Sequence, residues 1–190
     1  GTIVIEAAMM ARNIAPGIFR NEFGFERWND YDAELWKSLL DEAKQNEKPS
    51  LNFSITGIDR SHQAIRNSTE NAKEAGVEND IDFHAMPFED YTPKDSVQTI
   101  VTNPPYGGRI TDDDLFNLYK NIGDQLKLKY SGSNAWILTA NKEAAKNIGL
   151  HATAKIQLYN GALECRMLKY ELYRGTKKIH KIKDGNNEEV

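Results

Sequence analysis

Short runs of β-branched and apolar residues alternate along this chain with longer segments that carry apolar residues at helical spacing. No other property of the sequence restricts the possible folds as strongly. Strands that alternate with helices build a mostly parallel sheet with helices on both faces, which is an α/β architecture. The pattern predicts strands over residues 53–58, 81–85, 97–102 and 135–140, and helices over residues 2–13, 31–45, 61–75, 113–129 and 142–147.

The last part of the chain has a different pattern. Two further strands are predicted over residues 155–159 and 163–173, joined at Asn160-Gly161, which is typical of a tight hairpin. A C-terminal antiparallel hairpin should therefore close the sheet. After Gly175 the sequence turns polar and charged, so residues 1–175 are predicted to form one domain and residues 176–190 a disordered tail.

The first helix is apolar on nearly every side, from Thr2 to Asn13, so it is predicted to be buried and to be ended by Pro16-Gly17. Ser61 is a plausible N-cap of the third helix, and Gly76 is its expected left-handed end. The strand over residues 97–102 is expected to be buried.

Composition excludes several classes of protein. With 39% hydrophobic and 27% charged residues in 190, the chain has the balance of a globular domain, and no apolar run reaches the roughly 20 residues of a membrane span. We see no basic leader with a cleavage site. A single cysteine, Cys165, excludes an intrachain disulfide and favours a reducing cytoplasm. The histidines and Cys165 lack the spacing of a metal site, so no metal is expected.

The charge is unusual for a protein that would hold RNA by its own surface. The net charge is −4 and the pI about 5.6, whereas such proteins usually show a basic patch. Basic residues cluster only late in the sequence, at Lys169, Arg174, Lys177, Lys178, Lys181 and Lys183. This cluster fits a solvated strand and tail as well as it fits an RNA contact.

Three residues follow the ends of predicted strands: Asp59, Met86 and Asn103. In open α/β sheets, ligands bind outside the carboxyl ends of the strands. We therefore expect these three residues to be neighbours in space.

The most informative of these positions is the segment Asn103-Pro104-Pro105-Tyr106. An exocyclic amine of a base is a poor nucleophile because its lone pair is delocalised into the ring. Acceptors aimed at its N–H bonds, such as the Asn103 side-chain oxygen and the Pro104 carbonyl, favour the tetrahedral nitrogen that attacks a methyl donor. Prolines fix that carbonyl in place, and the ring of Tyr106 can stack on an extruded base. The same residues are also ordinary turn formers, but their position after an apolar strand favours the functional interpretation.

Candidate cofactor residues lie near the other strand ends. Asp59 can accept hydrogen bonds from both ribose hydroxyls of a nucleoside cofactor, although an acid there also suits a helix N-terminus. Gly1-Thr2 opens the first helix, where a glycine lets the backbone approach a cofactor, unless the chain simply begins at a glycine. Met86 and Phe88 follow a strand where an adenine ring would lie, and a core position is at least as good an explanation for each.

Four segments together resemble one family: Gly-Thr-Ile-Val-Ile-Glu-Ala-Ala at 1–8, Gly-Ile-Asp-Arg at 57–60, Asn-Pro-Pro-Tyr-Gly at 103–107 and Tyr-Asn-Gly-Ala-Leu-Glu-Cys-Arg at 159–166. They are similar to an RNA methylase family, and more narrowly to the 23S ribosomal RNA guanine-N2 methyltransferases that carry a THUMP RNA-binding domain. The resemblance covers residues 1 to about 174 and implies a Rossmann-like class I methyltransferase fold with S-adenosyl-L-methionine as cofactor. It implies catalytic roles for Asn103, Pro104, Pro105 and Tyr106, and cofactor binding by Gly1, Thr2, Asp59, Arg60 and Met86.

The sequence also departs from that family. Its members carry a strand, an aspartate and further glycines just before the point that corresponds to Gly1, and a THUMP domain upstream. The resemblance therefore implies that the first strand of the sheet is missing from this chain and that a THUMP-like domain belongs to the full-length protein. We expect the isolated chain to bind S-adenosylmethionine poorly and to be inactive on ribosomal RNA. Neither the exact nucleotide nor the oligomeric state is predicted.

Three alternatives remain open. The Asn-Pro-Pro-Tyr motif alone is shared with adenine-N6 and protein-glutamine methyltransferases, since an amide presents its amine much as a base does. A non-catalytic RNA-binding or assembly domain of the same fold is a second alternative, which the intact motif disfavours. A dinucleotide oxidoreductase is a third, and nothing in the chain suggests a hydride-transfer site.

Overall fold

A computed structural model describes residues 1–94, 98–108 and 111–173. The chain divides into two compact units, Gly1–Phe88 and Glu89–Val190. The elements of the first unit are α1 (Thr2–Ala11), α2 (Ala33–Gln45), β1 (Ile55–Asp59), α3 (His62–Glu74) and β2 (Ile81–Ala85). Those of the second are β3 (Thr99–Thr102), α4 (Asp112–Lys129), β4 (Asn134–Thr139), α5 (Lys142–Lys146), β5 (Ala154–Asn160) and β6 (Leu163–Glu171).

The first unit is built on one parallel strand pair. Strands β1 and β2 run side by side, with Ile55 opposite Ile81 and Asp59 opposite Ala85. Both strands therefore end at the same edge, and the Met86 amide donates to the Asp59 carbonyl over 3.0 Å just beyond it. The core of this unit consists of six buried side chains from α1 and the loop after it, from α3 and the turn after it, and from β2, namely Ile5, Ala8, Ile14, Ala72, Val77 and Ile81.

Helix α3 follows the sequence prediction closely. The Ser61 hydroxyl accepts a hydrogen bond from the Ala64 amide over 3.2 Å, as an N-cap does. Gly76, just beyond the C-terminal end, has a φ of +67°. The left-handed turn that ends the helix therefore costs little at this position.

Helix α1 corrects two predictions. It was expected to be buried all round, but only Ile5 and Ala8 are buried, and Met10 remains 75% exposed. The reason is that β1, β2 and α3 contact one side of the helix. The helix also ends at Ala11 rather than at Pro16-Gly17, because Asn13 adopts a φ of +59° and the next amide, of Ile14, turns back to the Met9 carbonyl.

Helix α2 begins two residues later than predicted and is half-exposed. The Asp32 carboxylate caps it by accepting from the amides of Glu34 and Leu35. None of its residues is fully buried. Trp36 of the helix joins an aromatic cluster with the segment before α2, which includes Phe23, Phe25, Trp28 and Tyr31.

The second unit contains a mixed sheet with the strand order β3-β4-β6-β5. Strand β4 is parallel to β3 and antiparallel to β6, and β5 is antiparallel to β6. The parallel strands and the C-terminal antiparallel hairpin are thus confirmed. The turn is displaced by one residue, however: Asn160 pairs with Leu163, which leaves Gly161 and Ala162 in the turn, with Gly161 at a φ of +63°.

Strand β3 is shorter and more exposed than predicted. It begins at Thr99, whereas Val97 lies outside the described residues. Its side chains alternate between exposed and half-buried, and Val101 is 43% exposed. The physical reason is its place at the edge of its sheet, where, among the described strands, it pairs with β4 only. The prediction of a buried strand is therefore wrong.

Helix α4 supplies much of the core of the second unit. Leu115, Tyr119, Ile122 and Leu126 are buried, as the helical spacing predicts, while Phe116 is only half-buried. Gly123 lies so close to the backbone of Ile148 that a Cβ there would fall 1.9 Å from the Ile148 carbonyl oxygen. A glycine inside a helix is thus explained by a close approach of two backbone segments.

The predicted tail, residues 176–190, lies outside the described residues, as does the late basic cluster except for Lys169. Lys169 is engaged within the chain, because its ammonium group pairs with Glu171 over 2.9 Å and lies 5.8 Å from the centre of the Trp136 ring. Among the described residues, no helix is both long enough and apolar enough to cross a membrane.

Candidate active site

The segment Asn103–Tyr106 follows β3 directly, at the carboxyl end of the parallel pair β3–β4. Asn103 and Pro105 are exposed, Pro104 is buried and Tyr106 is half-buried. Gly107 and Gly108 come next with φ values of +117° and +81°. The chain therefore turns sharply after the motif in a conformation that glycine adopts without strain.

The side chains of the motif contact each other. The Tyr106 hydroxyl donates a hydrogen bond to the side-chain oxygen of Asn103. An amide oxygen has two lone pairs, so this bond leaves one available for a second donor. The bond also fixes the direction in which the Asn103 oxygen points. Tyr106 thus orients Asn103, in addition to offering the ring that the sequence suggested.

The Tyr106 hydroxyl lies beside the C-terminal hairpin, next to the side chains of Asn160 and Cys165. Burial raises the pKa of Tyr106 above its ordinary value, and the neighbouring Cys165 thiol adds to the rise. The hydroxyl therefore stays protonated at neutral pH and can act as a donor. The hairpin segment that carries part of the family resemblance is in this way brought to the motif.

The backbone of the motif is anchored by two side chains of other elements. The Tyr119 hydroxyl, on α4, donates to the Pro105 carbonyl over 3.2 Å. The Asn141 side-chain amide, between β4 and α5, donates to the Tyr106 carbonyl over 3.1 Å. Two successive carbonyl groups of the loop are thus held by donors from the neighbouring framework.

A third side chain, Thr139, connects these anchors. Its hydroxyl lies 2.7 Å from the Tyr119 hydroxyl and accepts the Asn141 backbone amide over 3.1 Å. Thr139 and Tyr119 are both buried. Burial raises the pKa of Tyr119, with a further rise from Tyr106, so its hydroxyl also remains a donor at neutral pH.

Tyr119, Thr139 and Asn141 were not predicted from the sequence as parts of this site. Tyr119 was assigned to the core, because a tyrosine at helical spacing gives no sign that its hydroxyl meets a loop. Asn141 did give a signal. It follows the end of a parallel strand, and the rule that identified Asn103 applies to it equally.

In the first unit, two predicted cofactor residues lie together. Asp59 and Met86 stand at the carboxyl ends of the adjacent strands β1 and β2 and share a backbone hydrogen bond. One carboxylate oxygen of Asp59 accepts from the Ser61 amide over 2.8 Å, and the side chain is exposed. A carboxylate held at one oxygen and open to solvent is well suited to accept bonds from paired hydroxyls.

Gly1 is held in close contact with α3. A Cβ at Gly1 would fall 2.4 Å from the hydroxyl oxygen of Ser68, a buried residue, so the position requires glycine. Thr2 and Arg60 are exposed, whereas Phe88 is half-buried. The cofactor roles of these residues, and the expected proximity of Asp59 and Met86 to Asn103, stay predictions.

Comparison with known proteins gives a family match over most of the chain. Residues 1–169 match the family described as UPF0020, RMKL-like, methyltransferase domain. A ribosomal RNA large subunit methyltransferase K/L of Syntrophotalea carbinolica is 41% identical over 179 residues, covering 90% of this chain and 25% of that protein. A Synechocystis protein named for a proposed RNA methyltransferase activity is 38% identical over 174 residues, covering 91% of this chain and 45% of that protein.

Solved structures give the same result. A methyltransferase crystallised with SAH (S-adenosylhomocysteine) superposes with a TM-score of 0.84 at 30% identity, covering 93% of this chain and 46% of that one. A Listeria monocytogenes protein, named as an N6-adenine-specific DNA methylase on sequence grounds, superposes with a TM-score of 0.77 at 31% identity, covering 90% of this chain and 44% of that one. The chain thus spans less than half of each of these four proteins.

Proposed function

The chain belongs to the RMKL-like methyltransferase domain family and has the Rossmann-like fold of class I methyltransferases, and on that basis we propose that it transfers a methyl group from S-adenosyl-L-methionine to an exocyclic amine of an RNA base. The finer proposal is guanine N2 of 23S ribosomal RNA. Asn103, Pro104, Pro105 and Tyr106 form the amine-binding segment of this proposal.

One observation carries the chemistry. The Asn103 oxygen is oriented by Tyr106 and retains one lone pair, while Pro104, a buried proline, holds its carbonyl in a restricted backbone. These two oxygens accept hydrogen bonds from the two N–H groups of the incoming amine. This favours a tetrahedral nitrogen with a localised lone pair. Because the amine proton becomes acidic as the new N–C bond forms, the segment needs no strong general base.

The residues of the first unit fit the proposed cofactor. S-adenosylmethionine supplies an electrophilic methyl group when it is bound. Asp59 would accept hydrogen bonds from the ribose hydroxyls with its exposed carboxylate, and Met86, beside it, would contact the adenine ring. Gly1, Thr2 and Arg60 complete the proposed set. The close contact of Gly1 with Ser68 supports a role as the last glycine of a tight loop.

The choice of RNA is supported by the names of the relatives, of which one is a ribosomal RNA large subunit methyltransferase. A THUMP-like domain in the full-length protein would supply RNA affinity that this acidic chain, with a net charge of −4, does not offer. A cytoplasmic location belongs to the same proposal. The match to a protein named as an adenine-N6 DNA methylase keeps adenine N6 as the second candidate.

The Asn103→Ala variant tests the chemistry in the whole protein, with methyl transfer to large-subunit ribosomal RNA as the assay. We expect kcat to fall by about a hundredfold to a thousandfold, as for the loss of one preorganised hydrogen-bonding group. Cofactor affinity should stay the same, because Asn103 belongs to the amine-binding segment. Since Asn103 is exposed, the variant should fold normally. Near-normal methylation by this variant would contradict the mechanism.

A further inference from the structure

We propose that Tyr119 and Asn141 are positioning residues that hold the backbone of Asn103–Tyr106 in the conformation required for methyl transfer. The inference rests on the proposed function and adds two residues from outside the motif. Neither of them is expected to touch the amine. They act through the loop, by bonding to the carbonyl groups that follow the two amine acceptors.

The geometry of the loop makes these two bonds effective. The ring of Pro105 fixes its φ angle. The peptide planes before and after Pro105 can therefore rotate relative to each other only about its ψ angle. Tyr119 bonds to the Pro105 carbonyl, which belongs to the second of those planes. Holding that plane therefore restricts the first, which contains the Pro104 carbonyl. The Asn141 bond to the Tyr106 carbonyl holds the next plane along the chain.

One placement of the two hydroxyl protons satisfies these bonds, although the Thr139 hydroxyl also lies 3.4 Å from the Asn141 carbonyl oxygen, a second acceptor. Thr139 and Tyr119 have one hydroxyl proton each. When Thr139 donates to Tyr119 over 2.7 Å, Tyr119 can donate to Pro105, and the Thr139 oxygen still accepts the Asn141 amide. The two hydroxyl groups, the Pro105 carbonyl and the Asn141 amide then all have hydrogen-bond partners. This matters because an unpaired polar group would be costly in a buried environment.

Asn141 has its own restraint. Its side-chain oxygen accepts the Ala144 amide over 2.8 Å and so caps helix α5. Because the oxygen is committed to the helix, the NH2 group must point the other way, toward the Tyr106 carbonyl. The N-terminus of α5 thus determines which end of the Asn141 amide meets the loop.

The decisive variant is Asn141→Asp, which separates the cap from the anchor. Aspartate caps a helix as well as asparagine does, so α5 should keep its N-cap and the melting temperature should change little. Aspartate has no amide donor, however, and places an acceptor against the Tyr106 carbonyl. We expect kcat to fall by about tenfold to a hundredfold, while the KM for RNA and the Kd for S-adenosylmethionine change less than about threefold.

Tyr119→Phe is the second variant, since it retains the buried ring and removes the hydroxyl that bonds to Pro105. A similar fall in kcat is expected. Tyr130→Phe is its matched control: Tyr130 is also buried and stands just after the last residue of α4, about 16 Å farther along the helix axis. Tyr130→Phe should have the same kcat as the wild type, even where it lowers the melting temperature.

The outcomes separate this inference from the proposed function. A large loss of kcat in Asn141→Asp and Tyr119→Phe, with melting temperature, KM and Kd preserved, supports it. Wild-type kcat in both variants overturns it, as does a loss of kcat that merely follows the melting temperature and occurs equally in Tyr130→Phe. If instead the wild-type whole protein transfers no methyl group, or Asn103→Ala retains full activity, the proposed function fails and this inference fails with it.

Discussion

Tyr106 combines two roles in one side chain. The sequence suggested only an aromatic ring on which a base could stack. In the structure its hydroxyl also donates to the Asn103 oxygen and lies beside Asn160 and Cys165 of the hairpin. The orientation of the amine acceptor therefore depends on a residue three positions later in the chain.

Two substitutions of Tyr106 separate these roles. Tyr106→Phe keeps the ring and removes the hydroxyl, so kcat should fall by up to about tenfold while the KM for RNA is retained. Tyr106→Ala removes the ring as well. It should lower kcat/KM by a further factor of about ten to a hundred, because stacking of a base on an aromatic ring contributes about 1–3 kcal/mol. Steady-state kinetics of the two variants checks both values, and equal kinetics for the two would contradict a stacking role.

At the scale of elements, helix α4 shows how tightly the second unit is packed. A Cβ at Gly123 would fall 1.9 Å from the Ile148 carbonyl oxygen and 2.7 Å from its carbonyl carbon. Both are backbone atoms, so no side chain can move aside to relieve the contact. One segment would have to shift relative to the other.

Gly123→Ala should consequently destabilise the protein by about 1–3 kcal/mol, although alanine is the better helix former. Urea unfolding measures the change. Gly24→Ala is the matched control, since a Cβ at Gly24 has nothing within 4 Å and its φ lies outside the left-handed region. Equal unfolding free energies for the two variants would show that α4 and the Ile148 backbone are not in tight contact.

Elements with strong local signals were predictable from the sequence. Helix α3 has a serine cap and a glycine stop, and β2 was predicted with its observed bounds, Ile81–Ala85. Long-range relations were not predictable. The edge position of β3 depends on which strands pair, and the exposed sides of α1 depend on which elements contact it. Neither the edge position of β3 nor the exposure of α1 can be inferred from a local pattern of residues.

The residues of the candidate site also differ in whether they could be predicted from local sequence. Residues Asn103–Tyr106 form a contiguous motif that can be recognised directly in the sequence. Tyr119 bonds to Pro105 across 14 positions of the chain, and Thr139 bonds to Tyr119 across 20. Their hydroxyl groups acquire this role only through the packing of α4 against the carboxyl end of β4.

At the scale of the whole molecule, buried tyrosines should make stability sensitive to alkaline pH. Burial raises the pKa of Tyr130 and of Tyr170 to about 12. In the unfolded chain a tyrosine ionises near its ordinary pKa of about 10. Between these values the unfolded state binds fewer protons than the folded state, so the free energy of unfolding falls as the pH rises. Below about pH 9 both states hold the protons and these residues add no pH dependence.

Urea unfolding from about pH 8 to 11.5 measures this decline. The double variant Tyr130→Phe, Tyr170→Phe should show a shallower decline than the wild type, because lysines that ionise in the same window are common to both proteins. Parallel curves for the two proteins would contradict the predicted pKa rise.

The chain spans less than half of the relatives that it matches, and it carries a net charge of −4. A protein that binds RNA through phosphate contacts relies on lysine and arginine for most of its affinity. We therefore propose that this chain carries the chemistry and that the rest of a full-length protein supplies much of the RNA affinity.

Identification of the methylated product shows whether the protein transfers a methyl group to an exocyclic amine. Large-subunit ribosomal RNA is incubated with the whole protein and isotopically labelled S-adenosylmethionine, then digested to nucleosides that are identified by mass and chromatographic position. We expect the isotopic label in N2-methylguanosine. Label in N6-methyladenosine would agree with the proposed chemistry of Asn103–Tyr106 but would identify adenine, rather than guanine, as the target base. Label on a ring carbon or a ribose oxygen would contradict methyl transfer to an exocyclic amine. So would incorporation by the wild type that does not exceed incorporation by the Asn103→Ala variant.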